Sequence, residues 1–137
     1  MPQETCNWSY TITSDASCEL LKITSFSVST TRINPGQTIE CRLQGSLLRS
    51  LEEGAYADVI VKLGSVSIWK KTYDLNEVLG KIGKPLPQPE GDFDLVWQMD
   101  LPKEIPLTKF IINLSAFTFD EDELASAKLT VDMNKKY

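Results

Sequence analysis

From residue 21 onward, apolar and polar residues alternate at the period of a β-strand, and turn-forming residues interrupt the alternation at short intervals. Leu21 and Ile23 share one parity, Phe26 and Val28 the other. That shift predicts a bulge or a strand that changes sheets. "NPGQ" follows as a turn, with Pro35 setting φ and Gly36 free to take an unusual one. Ile39, Cys41 and Leu43 alternate next. In "EEGAYADVIVKLG", Ala55, Ala57, Val59, Val61 and Leu63 share a face, small residues first and larger ones after. Val66 and Ile68 form one face of the following segment, Trp69 and Tyr73 the other.

"DLNEVLGK" predicts a single helical turn. Pro85, Pro87 and Pro89 then exclude a central strand. Phe93, Leu95, Trp97 and Met99 resume the alternation up to the turn "PKEIP". Phe110, Ile112, Leu114 and Ala116 follow, with Phe117 and Phe119 off phase. "DEDE" reads as a solvated hairpin tip, and Ala127, Leu129, Val131 and Met133 close the pattern. Seven short strands without a long amphipathic helix predict an all-β fold, a two-sheet immunoglobulin-like β-sandwich. Residues 1–19 read as an irregular N-terminal segment.

Length and composition narrow the chemistry. The 137 residues suit one domain spanning 1–137, large enough for a core without metal or disulfide staples. A net charge of −5 disfavours phosphate backbones, so no nucleic-acid partner is expected. The chain contains no histidine, the commonest general base and metal ligand. Nucleophile-elbow, C-x-x-C and phosphate-loop motifs are missing too. The carboxylates cluster at turns. Neither catalysis nor a metal or other cofactor is expected. The aromatic residues on the strands fit either a packed core or the wall of a ligand cavity, and periodicity leaves both open.

The three cysteines, Cys6, Cys18 and Cys41, cannot all pair within one chain. Cys41 reads as a small core residue. A Cys6–Cys18 bridge would close a loop of about a dozen residues, worth about 3 kcal/mol; the alternative, and the ordinary expectation, is that all three are reduced. No basic-then-apolar leader precedes Cys6, which fits a cytoplasmic chain or a mature form with an added methionine.

Longer strings carry a resemblance. "INPGQTIECRLQGSL", "SLEEGAYADVIVKLG", "KKTYDLNE" and "GDFDLVWQMDLPKEIPLTKFIINLSAFTFDEDELASAKLTV" resemble the ML (lipid-recognition) domain over residues 20–133. The pairing of "EEGAYADV" with "DLPKEIP" is the specific part. The branch most similar is the fungal phosphatidylglycerol/phosphatidylinositol transfer proteins, relatives of Niemann-Pick C-type sterol carriers and mite group 2 allergens. The resemblance implies a sandwich with splayed sheets and a hydrophobic cavity between them for acyl chains or a sterol body. It implies a monomer that touches membranes transiently and transfers lipid without catalysis, with anionic glycerophospholipid favoured over sterol. An immunoglobulin-like interaction module with a closed core is the alternative from another class.

On that reading the candidate lining is Phe26, Val28, Ile39, Val59, Val61, Val66, Ile68, Phe93, Leu95, Trp97, Phe110, Ile112, Leu114, Leu129 and Val131. The candidate portal is Pro85, Leu86, Lys103, Ile105 and Pro106, where Lys103 or Lys81 meets an anionic headgroup. Asn76, Lys84 and Ser126 stand where the family usually carries cysteines. The family implies a secreted, endolysosomal or vacuolar location. The missing cysteines leave the cytoplasm as the alternative. The triplets Asn7-Trp8-Ser9 and Asn113-Leu114-Ser115 are compatible with secretion.

Overall fold

The structure is a computed structural model that describes residues 6–14 and 20–133. Among these residues the chain forms eight strands and one short helix: β1 (Trp8–Ile12), β2 (Leu21–Val28), β3 (Thr38–Leu47), β4 (Tyr56–Leu63), β5 (Val66–Asp74), α1 (Leu75–Gly80), β6 (Gly91–Asp100), β7 (Lys109–Phe117) and β8 (Glu123–Asp132). A five-stranded sheet runs β1-β8-β7-β4-β5, and a three-stranded sheet runs β2-β3-β6. All pairings are antiparallel. The two-sheet sandwich expected from the alternation is therefore present.

β1 is the strand that the irregular reading of residues 1–19 missed. "WSYTI" alternates like the others, but it is short, and as an edge strand it pairs with β8 alone, Trp8 opposite Val131 through Ile12 opposite Ala127. The parity shift in β2 is a bulge between Ile23 and Ser25. Gly45 on β3 lies against it because a Cβ there would strike the Lys22 carbonyl oxygen. Gly54, at φ +96°, enters β4 beneath Phe119, whose Cβ would sit 2.6 Å from an added methyl group. Only glycine tolerates both the backbone angle and the contact.

α1 begins where the Asp74 carboxylate accepts the Asn76 amide at 2.9 Å, an N-cap interaction. It buries Leu75 and Leu79. Leu86 donates its amide to Asn76 Oδ1 at 3.0 Å, tying the proline-rich loop to the helix.

Register fixes which loops share an end of the sandwich. Between β3 and β6, Thr38 faces Asp100 at one end and Leu47 faces Gly91 at the other. The 85–90 loop and α1 belong to the second end, residues 101–108 to the first. The core divides the same way. One cluster gathers Ile33, Ile39, Cys41, Val61, Met99, Leu101, Ile105, Phe110, Ile112, Leu129 and Val131. The other gathers Leu21, Leu47, Leu51, Leu75, Leu79, Leu86, Phe93, Leu95 and Leu124 at the α1 end. Asn7, only 2% exposed, closes the first end. Its Nδ2 donates to the Ile33 carbonyl at 3.0 Å, and its Oδ1 accepts the Ile33 amide at 2.8 Å.

Candidate functional site

An apolar cavity lies between the sheets at the α1 end. Its volume is about 80 Å³. The slot is thus narrow. That volume is well below the range of about 300–1,000 Å³ common for small-molecule sites, so a cargo has to part the sheets further as it enters.

The cause of the void is side-chain size. Ala57, Ala116 and Ala125 stand in register across β4, β7 and β8. Two residues along, Val59, Leu114 and Ala127 form the next row, and Val61, Ile112 and Leu129 the one after. The large residues of that last row fill the space between the sheets, and all three are fully buried. Leu47, Phe93 and Leu95 line the slot opposite the alanine row, whose small side chains leave the space between the sheets unfilled. Ala57 and Ala116 remain only half-buried.

An aromatic partition separates slot from closed core. Phe26 and Trp97 border the slot with ring centroids 6.2 Å apart, and Tyr10 packs on Phe26 at 5.3 Å. Tyr10 closes the side between β1 and β2. On the opposite side, between the edges of β5 and β6, the wall is Tyr73 followed by Leu75 and Val78 of α1. Burial first, then Asp100 and Cys41, pushes the Tyr73 phenol above its ordinary range, so it stays neutral at physiological pH.

Of the residues proposed from sequence as lining, Phe26, Val59, Phe93, Leu95, Trp97 and Leu114 border the slot. Val28, Ile39, Val61, Phe110, Ile112, Leu129 and Val131 do not border it and form the closed core cluster, which Phe26 and Val59 also join at the boundary. Val66 and Ile68 are 61% and 39% exposed, not part of any wall. Val66 sits at the β4–β5 hairpin tip, and Ile68 shares the outward face with Lys70 and Thr72. The inward face of β5 is Trp69, Lys71 and Tyr73, opposite Val61, Val59 and Ala57.

The proposed portal divides as well. Leu86 is buried in the α1-end cluster and Pro85 is exposed beside it. Ile105 is buried in the closed cluster, and Lys103, next to Gly36, and Pro106 lie at that same end. The β3–β6 register puts "KEIP" at the opposite end from the slot, so these three residues do not form its mouth. The small residues, with Leu21, Ile23, Leu47, Leu51, Tyr73, Leu75, Val78 and Leu124, are the lining that sequence reasoning missed. The available signal was the alanine-first order of β4 and β8 together with its reverse, alanine last, in the antiparallel β7.

The rest of the surface offers little chemistry. A polar hollow on the outer face of the three-stranded sheet is bordered by Thr24, Gln44, Lys84, Asp92 and Asp94. Asp94 there is engaged by Arg42 at 2.8 Å, which holds its carboxyl below the usual range. Among the described residues no group of three cysteine or carboxylate side chains is placed to hold a metal ion. Cys6 is a free, half-buried thiol, Cys41 is a free, buried one, and Cys18 lies outside the described residues.

A β-sandwich with a predominantly apolar slot between its sheets defines the lipid-recognition class of fold. Residues 4–133 match the family described as ML domain, and the chain belongs to that family. It is 29% identical over 132 residues to a phosphatidylglycerol/phosphatidylinositol transfer protein from Cryptococcus neoformans, covering 95% of this chain and 73% of the relative. It is 32% identical over 127 residues to the Aspergillus oryzae protein of the same name, covering 93% and 69%. Among solved structures, chicken MD-1 complexed with lipid IVa matches with a TM-score of 0.64 at 20% identity, over 92% of this chain and 90% of that one. A Niemann-Pick type C2 protein from the Japanese carpenter ant matches with a TM-score of 0.65 at 11% identity, over 87% and 96%. These two likenesses establish the fold.

Proposed function

We propose that this chain is a non-enzymatic lipid carrier that holds an acyl chain in the slot and moves lipid between membranes, with an anionic glycerophospholipid as preferred cargo. The observation that carries this reading is the slot floored by Phe26 and Trp97 and walled by the alanine row. The names of the fungal relatives support the cargo.

Each buried methylene is worth about 0.8 kcal/mol, so a two-chain lipid resists leaving a bilayer for water by about 20 kcal/mol. A dry slot lowers that barrier by replacing bilayer contacts with protein contacts, and it needs no directional chemistry. The thinness of the slot favours a flexible chain, which enters end-on, over a rigid sterol. The whole chain acts as one lipid-binding domain and as a monomer that docks briefly on membranes. Resemblance to lipid carriers supports a secreted or vacuolar-type compartment. In that compartment Asn7, only 2% exposed, leaves no room for a glycan.

Native mass spectrometry of protein purified from cells tests the reading. A co-purifying mass of phospholipid size is the expected result. A clean apo mass, with nothing extracted by organic solvent, sinks the carrier reading and favours a closed interaction module. A sterol mass reverses the cargo preference.

A further inference from the structure

The inward face of β5 carries one charge among apolar residues. Lys71 stands opposite Val59, a wall of the slot, and between Trp69 and Tyr73 on the same face. Its Nζ lies 4.8 Å from the centroid of the Tyr73 ring. Trp69 packs against the closed core on one side of it, and α1 covers the slot on the other. Lys71 itself is exposed. It therefore lies on the free edge of β5, beside the gap to the free edge of β6 and outside the wall that Tyr73 forms. Among the described residues no carboxylate lies within ion-pair distance of its ammonium.

We propose that Lys71 binds the phosphate of a phospholipid headgroup whose acyl chain occupies the slot. This rests on the carrier reading and relocates the headgroup from the "KEIP" end to the side of the sandwich. The chemistry is consistent at each point. A chain lying over Val59 and Ala57 leaves on this side when the Tyr73 ring turns out of the wall, and its first polar atoms then reach the β5 edge that Lys71 overlooks. The ammonium is a compact charge on a flexible stem, suited to a phosphate whose position varies with chain depth. Resting over the Tyr73 ring, it is held near the gap when no anion is present. Lys70, the next residue, faces outward opposite Ile60 and has no view of the slot.

The test is transfer selectivity, measured from phosphatidylcholine vesicles carrying either fluorescent phosphatidylglycerol or fluorescent diacylglycerol, which has no phosphate. Lys71→Gln is expected to reduce the phosphatidylglycerol-to-diacylglycerol rate ratio about fivefold, the effect of one solvent-accessible ion pair. Lys71→Arg is expected to keep the ratio, Lys70→Gln to leave it unchanged, and added salt to shrink the wild-type ratio towards that of Lys71→Gln.

An unchanged ratio in Lys71→Gln overturns the assignment. So does an equal loss in Lys70→Gln, which points to general attraction between charges. A lysine on an edge strand also guards against strand pairing between copies. Self-association of Lys71→Gln with the ratio intact assigns it that role instead. Inorganic phosphate, with chloride matched for ionic strength, is expected to leave transfer unaffected. Suppression by it assigns the site to free phosphate. If the wild type transfers neither lipid, the carrier reading fails first. If it transfers both and Lys71→Gln matches it, the role of Lys71 alone fails.

Discussion

Replacing Ala116 by leucine adds three carbons in the middle of the alanine row, between Ala57 and Ala125. In a filled core that change overpacks and costs about 1–3 kcal/mol. In the slot it has room. At about 0.8 kcal/mol per carbon buried, the lipid-free protein gains at most about 2 kcal/mol. For a domain of this size that raises the thermal midpoint by up to about 8 °C. The same three carbons displace about three methylenes of bound acyl chain. Binding then weakens by about 2.4 kcal/mol, or about 50-fold. The assays are thermal unfolding of delipidated protein and transfer of fluorescent phosphatidylglycerol between vesicles. The expected signature is opposed, with stability kept or raised and transfer lost. A drop in stability of more than 1 kcal/mol with transfer unchanged would refute the reasoning, because it would mean the row packs directly on the opposite sheet.

Other expectations follow from the same geometry. Val59→Trp is expected to block the slot with the fold intact, whereas Ile112→Trp, in the filled row, is expected to destabilise by about 3 kcal/mol or to prevent folding; circular dichroism with the transfer assay separates the two, and equal stability of both variants contradicts the division between core and slot. Asn7→Ala leaves the amide and carbonyl of the fully buried Ile33 without partners, a cost of about 2–3 kcal/mol in urea unfolding; a loss below 0.5 kcal/mol contradicts its role in closing that end. Burial, reinforced by Glu40, raises the Cys41 thiol from 9.0 to about 12. Folded protein at neutral pH is therefore expected to resist alkylation at Cys41 while Cys6 reacts, as peptide mass mapping reads directly. Because the folded pKa is the higher one, the stability linked to Cys41 is complete below about pH 9 and is lost as pH rises towards 12. A Cys41→Ala variant is expected to lack that part of the alkaline decline.

Most of the sandwich was legible in the chain because one-sided strands alternate and prolines and glycines punctuate them. The β2 bulge showed as a parity shift, and α1 as "DLNEVLGK". β1 was not read, because five residues on an edge carry little pattern. The site was less legible for a physical reason. Alternation identifies which residues face inward but not how far apart the sheets stand. Choosing the largest inward residues as lining therefore selected Ile112 and Phe110, which fill space, over Ala57 and Ala116, which leave it. Val66 and Ile68 misled because an edge strand can show apolar residues to solvent with no sheet opposite. The placement of "KEIP" needed the β3–β6 register, which no local string contains.

The central claim is that lipid lies between the sheets against the alanine row. A crystal structure with phosphatidylglycerol brominated along one acyl chain tests it most directly, since anomalous scattering locates the bromines without interpretation. The account predicts bromine peaks between Ala57 and Ala116 on one side and Phe93 and Leu95 on the other, above the Phe26–Trp97 partition. Peaks only on the outer surface, or beside Ile105 at the opposite end, would contradict it.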